Sequence, residues 1–155
     1  MASAQGCFPH LGLLGLATIV QQQCPAVEIE ILDGSILGLE TILDRLDGTV
    51  VGISALTTTY GAALQIAARA KQHGATVVLG NDHASRFAQP ILQRRPDVDA
   101  VIRGDFTEFS FARLLDYLND GRGLLDSIPG LTFRDDGVIR SVPLAVYPLD
   151  ALPIP

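Results

Sequence analysis

Three features of this 155-residue sequence predict an α/β fold, a parallel sheet flanked by helices. Short apolar, β-branched runs alternate with stretches of helical periodicity, the pattern of successive βαβ units. Glycines at 48 and 74 stop two of the helical stretches, as glycine does at helix C-termini. Hydroxyl, amide and glycine residues gather where the apolar runs end, and open α/β sheets hold ligands beyond the carboxyl ends of their strands.

Taken in order, residues 10–22 place Leu13, Leu16, Ala17 and Val20 at i, i+3, i+4 and i+7, one face of a helix. VEIEIL at 27–32 alternates with period two and ends at Asp33-Gly34, a strand and a turn. Leu39, Ile42, Leu43 and Leu46 resume the helical spacing. The run 49–54 is a strand, and a helix follows over about 60–73. ATVVLG at 75–80 is a second continuous apolar strand, and a weaker helix covers about 86–94 before Pro96. VDAVIR at 98–103 alternates again, and Phe111, Leu114, Leu115 and Leu118 mark a last helix that ends near Gly121.

The continuous strands 49–54 and 75–79 are expected at the centre of the sheet, buried on both faces. The alternating strands 27–32 and 98–102 are expected toward its edges. This gives a flavodoxin-like order 2-1-3-4-5, in which either AQGCF at 4–8 serves as a short first strand or that strand lies ahead of Met1. From Pro129 the sequence reads as two short strands around Asp135-Asp136-Gly137, a small C-terminal β-hairpin, and then as a proline-punctuated linker. The expected division is therefore a binding domain over 1–125 and a hairpin with linker over 126–155.

At this length the chain fits one domain and buries roughly 70% of its unfolded surface. No apolar run approaches the ~20 residues that span a bilayer, and residues 11–20 lack the basic flank of a signal peptide. A cytoplasmic protein without membrane contact is expected. The net charge of −6 and the lack of a basic stripe argue against nucleic acid. Cys7 and Cys24 support neither a zinc site nor a cluster and are expected to pack as small apolar groups.

Three strand ends carry the candidate site. Ser54, Thr57, Thr58 and Thr59 follow the 49–54 strand; one threonine is expected to cap the next helix, and four hydroxyls in six residues exceed that need. Gly80, Asn81, Asp82, His83 and Ser85 follow the next strand. Gly80 admits a ligand close to the backbone, Asn81 tolerates left-handed geometry, and Asp82 or Ser85 is a potential cap. His83 alone reads as a surface or hydrogen-bonded histidine, and its place on the edge favours a ligand contact. Arg103, Gly104 and Asp105 follow the last of these strands, where the alternative is a turn with Asp105 as cap and Glu108 completing a capping box. His10 is near enough to reach the same edge, and His73 sits at a helix C-terminus where a dipole contact explains it. No nucleophile–base pair, paired acids or dinucleotide fingerprint stands out, so the residues describe a binding module and not a catalyst.

The succession PHLGLLGLA (9–17), ILDGSI (31–36), VGISALTTTY (51–60), AKQHGATVVLGNDHAS (70–85), VDAVIRGD (98–105) and IPGLTFRDDG (128–137) resembles the N-terminal cobalamin-binding domain of cobalamin-dependent radical SAM enzymes. The resemblance implies a Rossmann-like sheet that holds the corrinoid over its carboxyl edge. Ser54 and Leu56 match the family's Ser-x-Leu element, with Ser54 implied as a partner of the nucleotide tail. Gly80 and Asn81 match a Gly-Gly element in which the second glycine has become asparagine. His83 matches a histidine common at this place in the subgroup, and Gly104 and Asp105 match its Gly-Glu or Gly-Asp. Thr57 and Thr58, beside these motifs, complete the expected cofactor-binding set.

His10 stands without the surrounding residues of the Asp-x-His-x-x-Gly motif that ligates cobalt in other cobalamin domains, so a cobalt without a histidine lower ligand is expected. The resemblance further implies that a full-length enzyme carries a radical SAM domain C-terminal to this chain, with S-adenosylmethionine and a [4Fe–4S] cluster, most often for methyl transfer. The motif for that cluster does not occur in these residues. The competing reading is a stand-alone flavodoxin-like domain that binds a nucleotide or a protein partner and no corrinoid. A free corrinoid shuttle, which would favour a histidine lower ligand, is a third.

Overall fold

A computed structural model describes residues 10–105 and 107–145. Helices α1 (Leu11–Gln23) and α2 (Leu39–Asp44) precede strand β1 (Val50–Ser54). Helix α3 (Tyr60–Gln72) leads to β2 (Thr76–Gly80), and helices α4 (Asn81–Arg86) and α5 (Ala88–Arg94) lead to β3 (Ala100–Ile102). Helix α6 (Thr107–Asp120), a 3-10 turn at Leu125–Ser127 and the hairpin strands β4 (Leu131–Asp135) and β5 (Val138–Ser141) complete the described chain.

The strands form one mixed sheet in the order β1-β2-β3-β4-β5. β1, β2 and β3 are parallel, and β4 and β5 continue antiparallel. Alternation along the strands divides the core. Ile53, Val77, Leu79 and Val101 face α3, α4 and α5, where alanines at 63, 67 and 70 let α3 approach closely. Val78, Ala100 and Ile102 face the other way, toward Leu114 of α6. α6 in turn packs on α1 through Ala112, Leu115, Ile19 and Val20. Each fully buried leucine or valine in these layers contributes roughly 1.5–3 kcal/mol.

The mostly parallel sheet between helices is the expected fold, but the placing of three strands differs. Residues 27–32 are not a strand: Val27 and Leu32 touch the core, while Glu28 to Ile31 lie exposed without a ladder. An alternating segment becomes a strand only when a neighbour pairs with it. The neighbour expected here, the first strand at 1–8, lies outside the described residues. β1, expected at the centre, is an edge strand among the described residues. β3, expected at an edge, is interior and fully buried because the hairpin pairs along its other side. The apparent alternation of VDAVIR came from Asp99 before the strand, which accepts Val77 N–H at 2.8 Å and meets Lys71 Nζ at 2.7 Å. The expected helix over 86–94 is two helices joined at Phe87, and it begins earlier, at Asn81.

Two arginines fasten the hairpin. Arg134 of β4 donates to the carbonyls of Leu92, Arg95 and Val98, covering the C-terminal end of α5. Arg103, just past β3, donates from Nη2 to the Val142 carbonyl at 2.5 Å. The segment beyond β5 is also held by Gly130 N–H to the Pro143 carbonyl at 2.9 Å. Leu144 then lies in a notch left by two glycines of positive φ, Gly104 and Gly130, where added Cβ atoms would come within 3.1 and 3.2 Å of it. Arg134→Ala removes three charge-assisted bonds and is expected to lower stability by about 2–3 kcal/mol in urea unfolding. Arg134→Lys, which cannot span three carbonyls with one planar fork, is expected to recover little of that loss.

Candidate functional site

β1 and β2 end in register, with Ser54 opposite Gly80, and Ala55 N–H donates to the Gly80 carbonyl at 3.0 Å. Beside these ends, on the α1/α6 face of the sheet, lies a cavity of about 260 Å³. Its floor is β1, β2 and β3 at Gly52, Val78 and Ile102. Leu13 and Leu16 of α1 and Phe111 of α6 form apolar walls. Gly52 makes room for one of them: a Cβ there would fall 3.0 Å from the Phe111 ring. Asn81, Asp82, Gly104 and Asp105 make a polar rim. An apolar interior with a few convergent polar groups is the usual composition of a ligand pocket.

Asn81 does two things at this rim. Its φ of 74° is the left-handed geometry that glycine adopts freely and that asparagine tolerates better than most residues. Its Nδ2 donates to Ser54 Oγ at 2.8 Å, while its Oδ1 accepts the Asp82 N–H at 2.7 Å. Ser54 Oγ, having accepted that bond, keeps its own O–H as a donor. Gly80, with extended backbone, could carry a side chain: a Cβ there meets nothing closer than the Ile102 carbonyl at 3.8 Å. Gly104 has a φ of 100°, and its N–H donates to Ser85 Oγ at 3.3 Å, tying α4 to the loop after β3.

The structure therefore brings Ser54, Gly80, Asn81, Gly104 and Asp105 together around one cavity. Leu56, Thr57, Thr58 and His83 do not line it. They lie at the same end of the sheet, where Thr57 Oγ1 is 3.2 Å from His83 Nδ1. The His83 ring lies between Tyr60 and Phe87, with centroids 4.2 and 4.9 Å away. Burial pushes the Tyr60 phenol above its ordinary value. Leu56 and Phe87 stay exposed beside this stack.

The expected threonine cap of α3 is absent. Thr59, at the start of α3, makes no side-chain cap; its Oγ1 instead accepts the Leu56 N–H at 3.1 Å, closing the loop on itself. Glu108, which the spacing offered to a capping box, lies in the first turn of α6 with its buried Oε2 unpartnered. Gly52 and Phe111 were not among the expected site residues, and Asp82 and Glu108 were expected there only as helix caps. Gly52 was within reach, because stepping back two positions from Ser54 stays on the same strand face.

Cys24 is buried as expected. Burial, and then a hydrogen bond to Asp116, push its thiol up to about 11, which leaves it protonated and unreactive. Among the described residues no group of three His, Cys, Asp or Glu could hold a metal ion. Among them, too, no helix is long and apolar enough to cross a membrane.

Residues 1–111 match the B12 binding domain family. The chain belongs to that family. This B12-binding domain is 31% identical over 95% of its length to an uncharacterized methyltransferase of Pyrococcus horikoshii, and spans about a third (33%) of that protein. Its fold is similar to that of OxsB, a cobalamin-dependent S-adenosylmethionine radical enzyme solved with aqua-cobalamin and S-adenosylmethionine bound. The TM-score is 0.73 at 17% identity, over 88% of this chain and 20% of OxsB. The radical S-adenosylmethionine methyltransferase TsrM from Kitasatospora setae, solved with cobalamin and a [4Fe–4S] cluster, gives a TM-score of 0.64 at 18% identity, over 86% of this chain and 26% of TsrM.

Asn81→Ala removes both side-chain bonds and leaves alanine, which tolerates left-handed backbone less well than asparagine; a loss of about 1–2 kcal/mol is expected in urea unfolding. Asn81→Gly keeps the backbone and is expected to cost less.

Proposed function

We propose that this domain holds cobalamin with the nucleotide tail in the cavity, as the cobalamin-binding part of a larger radical SAM methyltransferase. One observation carries the placement: in-register strand ends at Ser54 and Gly80 open onto a glycine-floored cavity of about 260 Å³. Pockets for drug-sized ligands run to ~300–1,000 Å³, so this volume suits a single heterocyclic nucleoside and not a corrin ring. The ring then stays outside, at the carboxyl edge, where Leu56, Thr57, Thr58 and His83 are available to meet it. Bound cobalamin supplies a cobalt centre able to carry a methyl group.

The chain's own residues have separable tasks. Ser54, fixed by Asn81, donates its O–H to an acceptor nitrogen of the tail's base. Gly80 leaves the entrance clear, and Leu13, Leu16, Ile102 and Phe111 exclude water from the base. His10 lines the cavity wall, where its ring would meet a tail held in the cavity. The methyltransferase relative and the two radical enzymes are longer than this chain, which supports a radical SAM domain, with its cluster and S-adenosylmethionine, as partner. The reading as a nucleotide-binding domain without corrinoid has less support. The charged groups at the cavity are the carboxylates Asp82, Asp105 and Glu108 against one histidine, which is a poor seat for a polyphosphate.

The test is titration with hydroxocobalamin, desalting, and absorbance of the retained fraction. Stoichiometric retention is expected from the wild-type chain. Gly80→Leu, whose backbone tolerates the side chain, is expected to melt like wild type and retain no corrinoid. A folded wild-type chain that retains none sinks the proposal.

A further inference from the structure

The register divides the cavity into levels. Gly52 and Val78 pair one level below Ser54 and Gly80, and Ile102, one step beyond the Leu79–Val101 pair, stands level with Gly80. The helices follow the same order. Phe111 lies one turn past Glu108 on α6, with its ring over Gly52, and Leu16 lies one turn past Leu13 on α1. The inner level is therefore enclosed by Gly52, Val78, Leu16 and Phe111, whose side chains bring neither donor nor acceptor. Polar side chains enter only at the outer level, from the strand ends and from the starts of α1, α4 and α6. All of these residues border the same open space of about 260 Å³.

We propose, on the reading of the cavity as the tail's seat, that this layering selects the base of the nucleotide tail, favouring a benzimidazole over an adenine. Size does not separate the two, since both are flat bicyclic bases of similar volume. Their orientation is the same: the five-membered ring carries the link to ribose and so back to the corrin outside, and the six-membered ring goes in first. Each five-membered ring keeps one acceptor nitrogen, within the reach of Ser54 Oγ at the outer level. The six-membered rings differ. That of the benzimidazole in cobalamin is hydrocarbon with two methyl groups, and it gains from burial against Leu16, Val78 and Phe111. That of adenine carries two ring nitrogens and an amino group, which give up water for a level whose side chains offer them no partner.

Equilibrium dialysis of the purified chain tests this, with cobalamin, with the cobamide whose base is adenine, and with cobinamide, which lacks the nucleotide. Thermal melting of the ligand-free chain runs alongside. Cobalamin is expected to bind about ten- to a hundredfold more tightly than the adenine cobamide. Leu16→Gln, at a half-buried helical position where glutamine is a good helix former, is expected to stay folded and to narrow that ratio. Ser54→Ala is expected to weaken both cobamides alike and to leave the ratio unchanged. Equal binding of the two cobamides by the wild-type chain, or a ratio that Leu16→Gln leaves unmoved, overturns selection by the base while leaving the cobalamin reading intact. Cobinamide bound as tightly as cobalamin takes the tail out of the cavity and overturns the selection with its premise. A wild-type chain that binds no corrinoid overturns both.

Discussion

The site depends on one register. Parallel pairing of β1 with β2 sets Ser54 against Gly80, and the bond from Ala55 N–H to the Gly80 carbonyl locks that alignment one residue past the strand end. Because side chains alternate along a strand, the same register puts Gly52 and Val78 on the cavity floor and sends Ile53, Val77 and Leu79 into the opposite core. A slip of one residue would exchange those sets, turning bulky apolar side chains into the cavity and a glycine and a serine into the core. The apolar packing under α3 thus holds the ligand face in place from the other side of the sheet.

Helices finish what the register begins. α1 and α6 pack on each other through Ile19, Val20, Ala112 and Leu115, and their N-terminal turns form the cavity walls. Phe111 belongs to both arrangements: it packs at the α1/α6 contact and fills the space that Gly52 leaves. The core of this face and the shape of the site are consequently set by the same side chains.

The sequence made the helices, the strand cores and the strand-end clusters legible, because these are local patterns of period and punctuation. It misplaced β1 and β3 in the sheet, since edge or interior position depends on which distant segment pairs alongside. The hairpin that buries β3 looked like an appendage when judged only from its turn residues. Ser54, Gly80, Asn81, Gly104 and Asp105 were legible as a group because strand ends of a parallel sheet converge. Leu56, Thr57, Thr58 and His83 were legible only as neighbours of that group: the loop after β1 folds back through Thr59, and its residues and His83 of α4 do not line the cavity.

The Arg103 clamp has a consequence for chain geometry. With Pro143 held by Gly130 N–H and Leu144 seated over Gly104, it brings the chain to the rim of the cavity by residue 144, not to the far side of the sheet. Any unit tethered after Ala145 starts its search from that rim. A short tether so anchored confers a millimolar-range effective concentration at the carboxyl edge without any contact between the two units. For a unit carried in that way, encounter at the edge would depend on where the chain arrives, and weak complementary surfaces would suffice.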